Sequence, residues 1–175
     1  MTYNLKLTNS FSRKKELFKP LNSKKITMYG CGPTVYDNPH VGNARTLVVF
    51  DILFRLLKKI YKEVNYVRNI TDVDDKIIEA AKKNNKSINE ITEIFTKTFH
   101  KDCKSLNCEL PTKEPKATDH INEMISMTKS LIEKKFAYEV KGHVYFSINN
   151  FKNYGKLSNN NLEELKSGTR IEISK

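Results

Sequence analysis

The residues with the clearest capacity for chemistry lie in a short segment between Cys31 and Asn43. The apolar alternation before this segment predicts a β-strand, and its Gly-Cys-Gly-Pro sequence is typical of a loop that leaves a strand. We expect a helix over residues 44–61, so the segment ends at a helix N-terminus, whose unpaired N–H groups and positive dipole end attract anions. His40 and Asn43 can donate hydrogen bonds to a polyphosphate there, and Gly42 leaves room for a nucleotide against the backbone.

A second group of polar residues follows the next predicted strand, residues 64–70. Strand, long helix and strand predict a right-handed βαβ unit with parallel pairing, so both loops leave the same edge of the sheet. The carboxylates Asp72, Asp74 and Asp75 can cap the helix that follows. Alternatively, Thr71 and Asp72 can bind a substrate by hydrogen bonds, or the carboxylates can hold Mg²⁺, although nothing in the sequence fixes the geometry that Mg²⁺ requires.

Cysteines are a third source of chemistry. His100, Cys103 and Cys108 would supply soft ligands for zinc at short range, but their spacing is not that of a standard zinc finger and no fourth ligand is nearby. Cysteines on the apolar face of a helix more commonly pack in a core. Cys31 differs because it lies in the loop at a strand end, where a structural residue would more usually be Ala or Val.

These residues belong to a longer pattern. Residues 29–43 read Tyr-Gly-Cys-Gly-Pro-Thr-Val-Tyr-Asp-Asn-Pro-His-Val-Gly-Asn and resemble the N-terminal active-site segment of the cysteinyl-tRNA synthetase family. Residues 40–43 resemble the class I HIGH motif, with Asn43 in place of the last His. The resemblance implies that His40 and Asn43 are catalytic groups that act on the phosphates. It also implies that ATP is bound by five residues of this segment, Thr34, Pro39, His40, Gly42 and Asn43.

The loop after the second strand extends the resemblance. Residues 69–77, Asn-Ile-Thr-Asp-Val-Asp-Asp-Lys-Ile, are similar to a second stretch of the family, whose matching Thr lines the amino-acid pocket. The resemblance implies a cysteine-binding site that contains Cys31, Gly32 and Thr71. It further implies that Cys31 is one of four ligands of a Zn²⁺ ion that binds the thiolate of the substrate. Such a site would reject serine, because Zn²⁺ deprotonates a thiol more readily than an alcohol.

Composition limits the remaining possibilities. The 175 residues carry a net charge of +11, which favours a polyanionic partner such as nucleic acid. Lysine far outnumbers arginine, so coding bias could also supply much of this charge. No apolar run approaches the roughly 20 residues of a membrane-spanning helix, and the N-terminus lacks the apolar core of a signal peptide. The three cysteines suggest free thiols or metal ligands in a reducing compartment, so we expect a cytoplasmic protein without membrane contact.

The elements around the motifs are predicted from the hydrophobic pattern. The helix over residues 44–61 is apolar around most of its circumference, so we expect it to be mostly buried. Residues 79–106 predict two helices, the second of which begins at a capping box formed by Ser87 and Glu90. Residues 10–16 are charged and are expected to form a surface connection.

A linker at residues 111–115 suggests a domain boundary. We expect a first domain at residues 1–113 and a second at residues 114–175. In the second domain a helix is predicted from Ala117, followed by a β-hairpin within residues 138–148. This region resembles the connective-peptide insertion of the synthetase family.

The resemblance covers essentially the whole chain. It implies an α/β protein, namely the N-terminal half of the Rossmann-like class I nucleotide-binding fold, with a parallel sheet and a small α+β connective insertion. The implied reaction is the activation of L-cysteine with ATP and Mg²⁺ to cysteinyl-adenylate, followed by transfer to tRNA(Cys). The other three zinc ligands, the Lys-rich KMSKS loop and the anticodon-binding region of the family would lie C-terminal to this sequence. We therefore expect the chain to be an N-terminal part of the enzyme.

Two other functions remain open from the sequence. The related ligase that joins cysteine to an amino sugar in mycothiol synthesis uses the same adenylate, although the Pro-Thr-Val-Tyr sequence at residues 33–36 and the basic charge favour the tRNA enzyme. A non-catalytic nucleotide- or RNA-binding module derived from this fold would also carry the motifs of an N-terminal half.

Overall fold

A computed structural model describes residues 4–159 of the chain. The chain divides into two compact units, of which the central unit is Pro20–Ile121 and the second unit combines Met1–Lys19 with Asn122–Lys175. None of the described helices is long and apolar enough to cross a membrane. The elements, in chain order, are β1 (Lys6–Asn9), β2 (Lys14–Leu17), β3 (Ile26–Gly30), α1 (Val41–Ile60), β4 (Val64–Arg68), α2 (Asp75–Lys83), α3 (Ile88–Ser105), a 3₁₀ turn (Ala117–His120), α4 (Ile121–Glu133), β5 (Ala137–Val140), β6 (His143–Phe146) and a second 3₁₀ turn (Ile148–Asn150).

Two parallel strands organise the central unit. β3 pairs with β4 in a register that runs from Ile26 opposite Val64 to Gly30 opposite Arg68. Every second residue of β3 is buried, which is the alternation that predicted this strand. Because α1 connects the two strands, the predicted strand–helix–strand unit with parallel pairing is confirmed for this pair.

The predicted linker is held against β4. Parallel bridges join Val67 to Lys113 and Ile70 to Lys116. The N–H of Ile70 donates to the carbonyl of Pro115 at 2.9 Å. This segment therefore runs beside β4 and the loop that follows it, in the manner of a third strand. The domain boundary after residue 113 stays a prediction.

Helix α1 is less buried than its composition predicts. Its buried residues are Leu47, Phe54 and Leu57, whereas Val49 and Ile52 are 59% and 60% exposed. In the part of the chain that the structure describes, only β3, β4 and α3 contact this helix among the named elements. The expectation that the helix is mostly buried is therefore wrong for these residues, because no element between residues 4 and 159 covers this part of its apolar surface.

Helices α2 and α3 form the remainder of the core of this unit. They are separate helices, as predicted, and the capping box at the start of α3 is confirmed: Ser87 Oγ accepts from the N–H of Glu90 at 3.2 Å, and Glu90 Oε2 accepts from the N–H of Ser87 at 2.8 Å. One buried cluster joins α1 and α3 to the loops after β3 and β4, and consists of Val35, Leu47, Ile70, Phe99 and Cys103.

A buried charge lies at the end of β4. Arg68 is 3% exposed, and its Nε and Nη2 both donate to Glu114 Oε1, at 3.0 and 2.6 Å. The guanidinium also lies 4.8 Å from the centre of the Phe99 ring, which adds a cation–π contact. The other oxygen of Glu114 is hydrogen-bonded to His100 Nε2. A charge at this depth requires such partners, because removal from water is costly.

The second unit contains two antiparallel hairpins. β1 pairs with β2, so the expectation of a surface connection over residues 10–16 is wrong from Lys14 onward, where charged side chains occupy an exposed strand. The predicted hairpin is confirmed as β5 and β6. Its turn places Lys141 and Gly142 at positive φ, as short hairpin turns require. Residues 160–175 of the predicted second domain lie outside the described residues.

The Arg68–Glu114 pair makes the stability of the central unit testable. The substitution Glu114→Gln is expected to lower the free energy of unfolding by about 3 kcal/mol, because it leaves the buried guanidinium without a charged partner. Glu63→Gln is the matched control: Glu63 pairs with Lys25 at 3.2 Å, with both side chains about half exposed, and should cost less than about 1 kcal/mol. Denaturant unfolding monitored by circular dichroism measures the free energy of unfolding of both variants. Equal losses in the two variants would contradict the stabilising role of the buried Arg68–Glu114 pair.

Candidate active site

The loops that follow β3 and β4 are joined through their backbones. The N–H of Thr71 donates to the carbonyl of Pro33 at 3.0 Å, and the N–H of Val35 donates to the carbonyl of Thr71 at 3.2 Å. Val35 and Ile70 anchor the two loops in the core, since they are 2% and 1% exposed. The structure thus brings together, at one edge of the strand pair, the two stretches in which the sequence predicted functional side chains.

The N-terminus of α1 is capped by His40 and Asn43. The N–H of Gly42 donates to His40 Nδ1, and the N–H of His40 donates to Asn43 Oδ1, both at 3.0 Å. A backbone N–H can only donate, so Nδ1 is an acceptor and the hydrogen of the neutral imidazole is on Nε2. Neither His40 Nε2 nor Asn43 Nδ2 has a hydrogen-bond partner among residues 4–159. The two side chains therefore offer only donor groups at a positive helix end, which suits an anion.

A cavity of about 240 Å³ opens beside these donors. Four of the five predicted ATP-binding residues line it: Thr34, Pro39, His40 and Asn43. The complete lining is Pro33, Thr34, Val35, Tyr36, Asp37, Asn38, Pro39, His40, Asn43, Phe95 and Phe99.

Gly42, the fifth predicted ATP-binding residue, does not line this cavity. A Cβ at this position would lie 2.8 Å from His40 Cε1 and 2.9 Å from His40 Nδ1. Any side chain would therefore push the imidazole out of its capping position. Glycine is therefore required at position 42 because the His40 ring occupies the space that a Cβ would need.

A smaller cavity of about 130 Å³ is also lined by residues of this loop. It is lined by Cys31, Gly32, Pro33, Asn43, Thr46, Leu47, Phe50, Tyr66, Arg68 and Phe99, so two of the three predicted cysteine-binding residues border it. Asn43 borders both cavities. Gly32 cannot carry a side chain, because a Cβ would lie 1.6 Å from the carbonyl oxygen of Asn69. Burial raises the pKa of the Tyr66 phenol, so this lining residue is neutral at pH 7.

Thr71 lines neither cavity but is tied to Gly32 through Asn69. Asn69 Nδ2 donates to Thr71 Oγ1 at 3.1 Å, while Asn69 Oδ1 accepts from the N–H of Gly32 and from the hydroxyl of Tyr29, both at 2.9 Å. Sequence analysis did not single out Asn69. The available signal was its position, since it is an amide side chain at a strand end, two residues before Thr71.

The carboxylates after Thr71 have separate structural roles. Asp74 is the N-cap of α2 and accepts from the N–H of Lys76 at 2.9 Å, so the capping interpretation is confirmed for this residue. Asp72 is buried and accepts from the N–H and the hydroxyl of Thr118, at 3.0 and 2.6 Å. Its two oxygens thus hold the segment after the linker against the loop.

The described residues do not form a metal site. No group of three or more His, Cys, Asp or Glu side chains in this part of the chain is arranged to hold a metal ion. Cys31 is exposed and provides at most one ligand. Burial raises the pKa of the Cys103 and Cys108 thiols, which disfavours the thiolate that zinc requires, and His100 is bonded to Glu114. The alternative zinc site at these three residues therefore has no geometric support.

Comparison with known proteins agrees with this arrangement. Residues 17–175 match the family described as tRNA synthetases class I (C) catalytic domain. Among curated relatives, the chain is 57% identical to a cysteine–tRNA ligase of Pelagibacter ubique, over 99% of this chain and 39% of the relative. It is 52% identical to a cysteine–tRNA ligase of Wolbachia pipientis from Culex pipiens, over 97% of this chain and 36% of the relative. It is 53% identical to a cysteine–tRNA ligase of Rickettsia felis, over 97% of this chain and 37% of the relative.

The extent of these matches defines what they establish. The chain spans between about a third and two fifths of the length of these relatives. The family match, in contrast, covers nearly all of the chain, including both loops of the site. The chain therefore belongs to the family of class I tRNA synthetase catalytic domains, which have a Rossmann-like fold.

Proposed function

We propose that the protein to which this chain belongs is a cysteine–tRNA ligase. It activates L-cysteine with ATP and Mg²⁺ to cysteinyl-adenylate and pyrophosphate, and then transfers the cysteinyl group to tRNA(Cys). Family membership and the names of the relatives support this proposal. The observation that carries it is the pair of side-chain donors, His40 Nε2 and Asn43 Nδ2, at the N-terminus of α1 beside the larger cavity.

These donors suit the charge that develops during adenylate formation. In this step the carboxylate of cysteine attacks the α-phosphorus of ATP, the bond to the β-phosphate bridging oxygen breaks, and pyrophosphate leaves. Negative charge is spread over the phosphate oxygens throughout. A helix N-terminus with two fixed donors stabilises such charge without reorganisation, because the capping hydrogen bonds already hold both side chains. We accordingly propose His40 and Asn43 as catalytic groups, and Thr34, Pro39 and Gly42 as parts of the ATP site.

The smaller cavity is the proposed site of the amino acid. It is bordered by Cys31 and Gly32, and it shares the lining residues Pro33, Asn43 and Phe99 with the larger cavity. A cysteine bound there would have its carboxylate beside the nucleotide phosphates, which is the proximity that the reaction needs. Thr71 contributes from behind the loop through Asn69.

A zinc ion is proposed for the full-length protein and not for the 175-residue chain by itself. Cys31 would supply one ligand, as the family resemblance implies, and zinc would hold the thiolate of the substrate. The described residues do not supply the rest of a tetrahedral site, so no step is assigned to the metal.

Three further features are proposed on the same basis. The β3–β4 pair is the beginning of the parallel sheet of a Rossmann-like half-domain, with residues 1–113 as that half and residues 114–175 as the connective insertion. The net charge of +11 suits contact with tRNA. The cytoplasm is the expected location, because tRNA aminoacylation serves protein synthesis.

The first test concerns ATP binding by the 175-residue chain. His40→Ser is expected to weaken ATP binding about 5- to 150-fold, because the short hydroxyl cannot donate to phosphate from the position of Nε2. Ser is itself a good N-cap residue, so the stability of α1 should be retained. Isothermal calorimetry measures the affinity and thermal unfolding gives the control. Unchanged affinity would mean that His40 only caps the helix.

The second test concerns zinc. The 175-residue chain is expected to bind zinc weakly or not at all, because one cysteine cannot complete a tetrahedral site. Metal analysis of the purified chain measures this, and Cys31→Ser should leave the low zinc content unchanged. Stoichiometric zinc that survives Cys31→Ser would contradict the proposal and would favour His100, Cys103 and Cys108 as ligands.

The third test concerns activity. The full-length protein is expected to catalyse cysteine-dependent exchange between pyrophosphate and ATP and to charge tRNA(Cys). Cys31→Ala should abolish both activities, whereas Cys108→Ala, the matched control, should retain them. The 175-residue chain by itself should show no exchange, because catalytic groups that act as a unit lose nearly all activity when one is missing. Exchange by this chain alone would contradict the proposal, and transfer to an amino sugar instead of tRNA would identify the related ligase.

A further inference from the structure

Asn69 occupies a junction between residues that the proposed amino-acid site requires. It follows the last residue of β4, and its side chain makes three hydrogen bonds, with the N–H of Gly32, the hydroxyl of Tyr29 and the hydroxyl of Thr71. One amide group thereby connects the loop after β3 to the loop after β4.

The chemistry of these partners fixes the orientation of the amide. The N–H of Gly32 can only donate, so the atom that faces it at 2.9 Å must be the carbonyl oxygen Oδ1. The amide nitrogen Nδ2 must then face Thr71 Oγ1, at 3.1 Å. Since Nδ2 can only donate, Thr71 Oγ1 is an acceptor in this contact, and its own hydrogen points elsewhere.

Backbone contacts restrict the residues on both sides of the Asn69 amide. Thr71 is held by its two backbone hydrogen bonds to Pro33 and Val35. Gly32 lies so close to the carbonyl of Asn69 that no Cβ fits between them. The Asn69 amide is therefore held between Thr71 on one side and the Gly32 loop on the other.

We infer that Asn69 is a positioning residue: anchored by Thr71, it holds the Gly32 loop at the border of the smaller cavity, the proposed site of the amino acid. This inference rests on the proposed function. Asn69 acts through Gly32 and does not itself border either cavity. Its contribution is to substrate binding, since the Gly32 loop would meet the amino acid before any bond changes.

A double-mutant cycle in the full-length protein tests this role. Asn69→Ala and Thr71→Val should each raise the KM for cysteine in the exchange reaction about 10-fold, with a smaller effect on kcat. The double variant should have a KM close to that of the worse single variant, because both changes break the same connection from Thr71 through Asn69 to Gly32. A KM equal to the product of the two single effects would overturn the inference.

Further variants separate positioning from folding. Asn69→Asp keeps an acceptor for Gly32 and Tyr29, and its second oxygen can accept the Thr71 hydroxyl hydrogen, so thermal stability and the KM for cysteine should both stay close to the wild-type values. A KM raised as far as in Asn69→Ala would overturn the inference. Asn65→Ala, at the opposite end of β4 where Asn65 is paired with Thr27, is the control and should keep the wild-type KM. If the wild-type protein is active and Asn69→Ala matches it, only the inference fails. If the wild-type protein shows no cysteine-dependent exchange, the proposed function fails with it.

Discussion

Two backbone hydrogen bonds at Thr71 hold the candidate site together. They join the loop after β3 to the loop after β4, and they are possible because both loops leave parallel strands at the same edge. The first loop leads directly into α1, so the same bonds determine where the helix N-terminus lies. Asn43 can therefore border two cavities at once. Without this backbone connection, the position of the donors at the helix end relative to the Cys31 loop would not be fixed.

The buried Arg68 stabilises the central unit beside these loops. Its guanidinium packs on Phe99 and is neutralised by Glu114, which lies on the segment that runs beside β4. Phe99 also lines both cavities. The residues that stabilise the central unit and the residues that shape the site are thus partly the same: a change in the ion pair would affect the smaller cavity directly at Arg68 and both cavities through Phe99.

Local patterns in the sequence were sufficient for some features and insufficient for others. The strand at Ile26, the capping box at Ser87 and the hairpin after residue 137 depend on neighbouring residues, and their periodicity and caps predict them. The burial of α1 was overestimated, because an apolar surface does not reveal which elements cover it. The partners of Arg68 and Asp72 lie 46 residues away in the chain, so nothing local could show that these charged side chains are buried.

The same sequence separation has a consequence for synthesis of the protein. The loop after β4 also forms hydrogen bonds with Pro115 and Thr118, which are added to the chain long after Ile70 and Asp72. A nascent chain that ends before Thr118 can pair β3 with β4 and join Thr71 to the loop after β3, but it lacks the complete contacts of Ile70 and Asp72 with residues 115–118. Because non-local contacts are slow to form and the chain emerges from its N-terminus, the edge that carries the candidate site is the last part of the central unit to gain its full set of contacts on the ribosome.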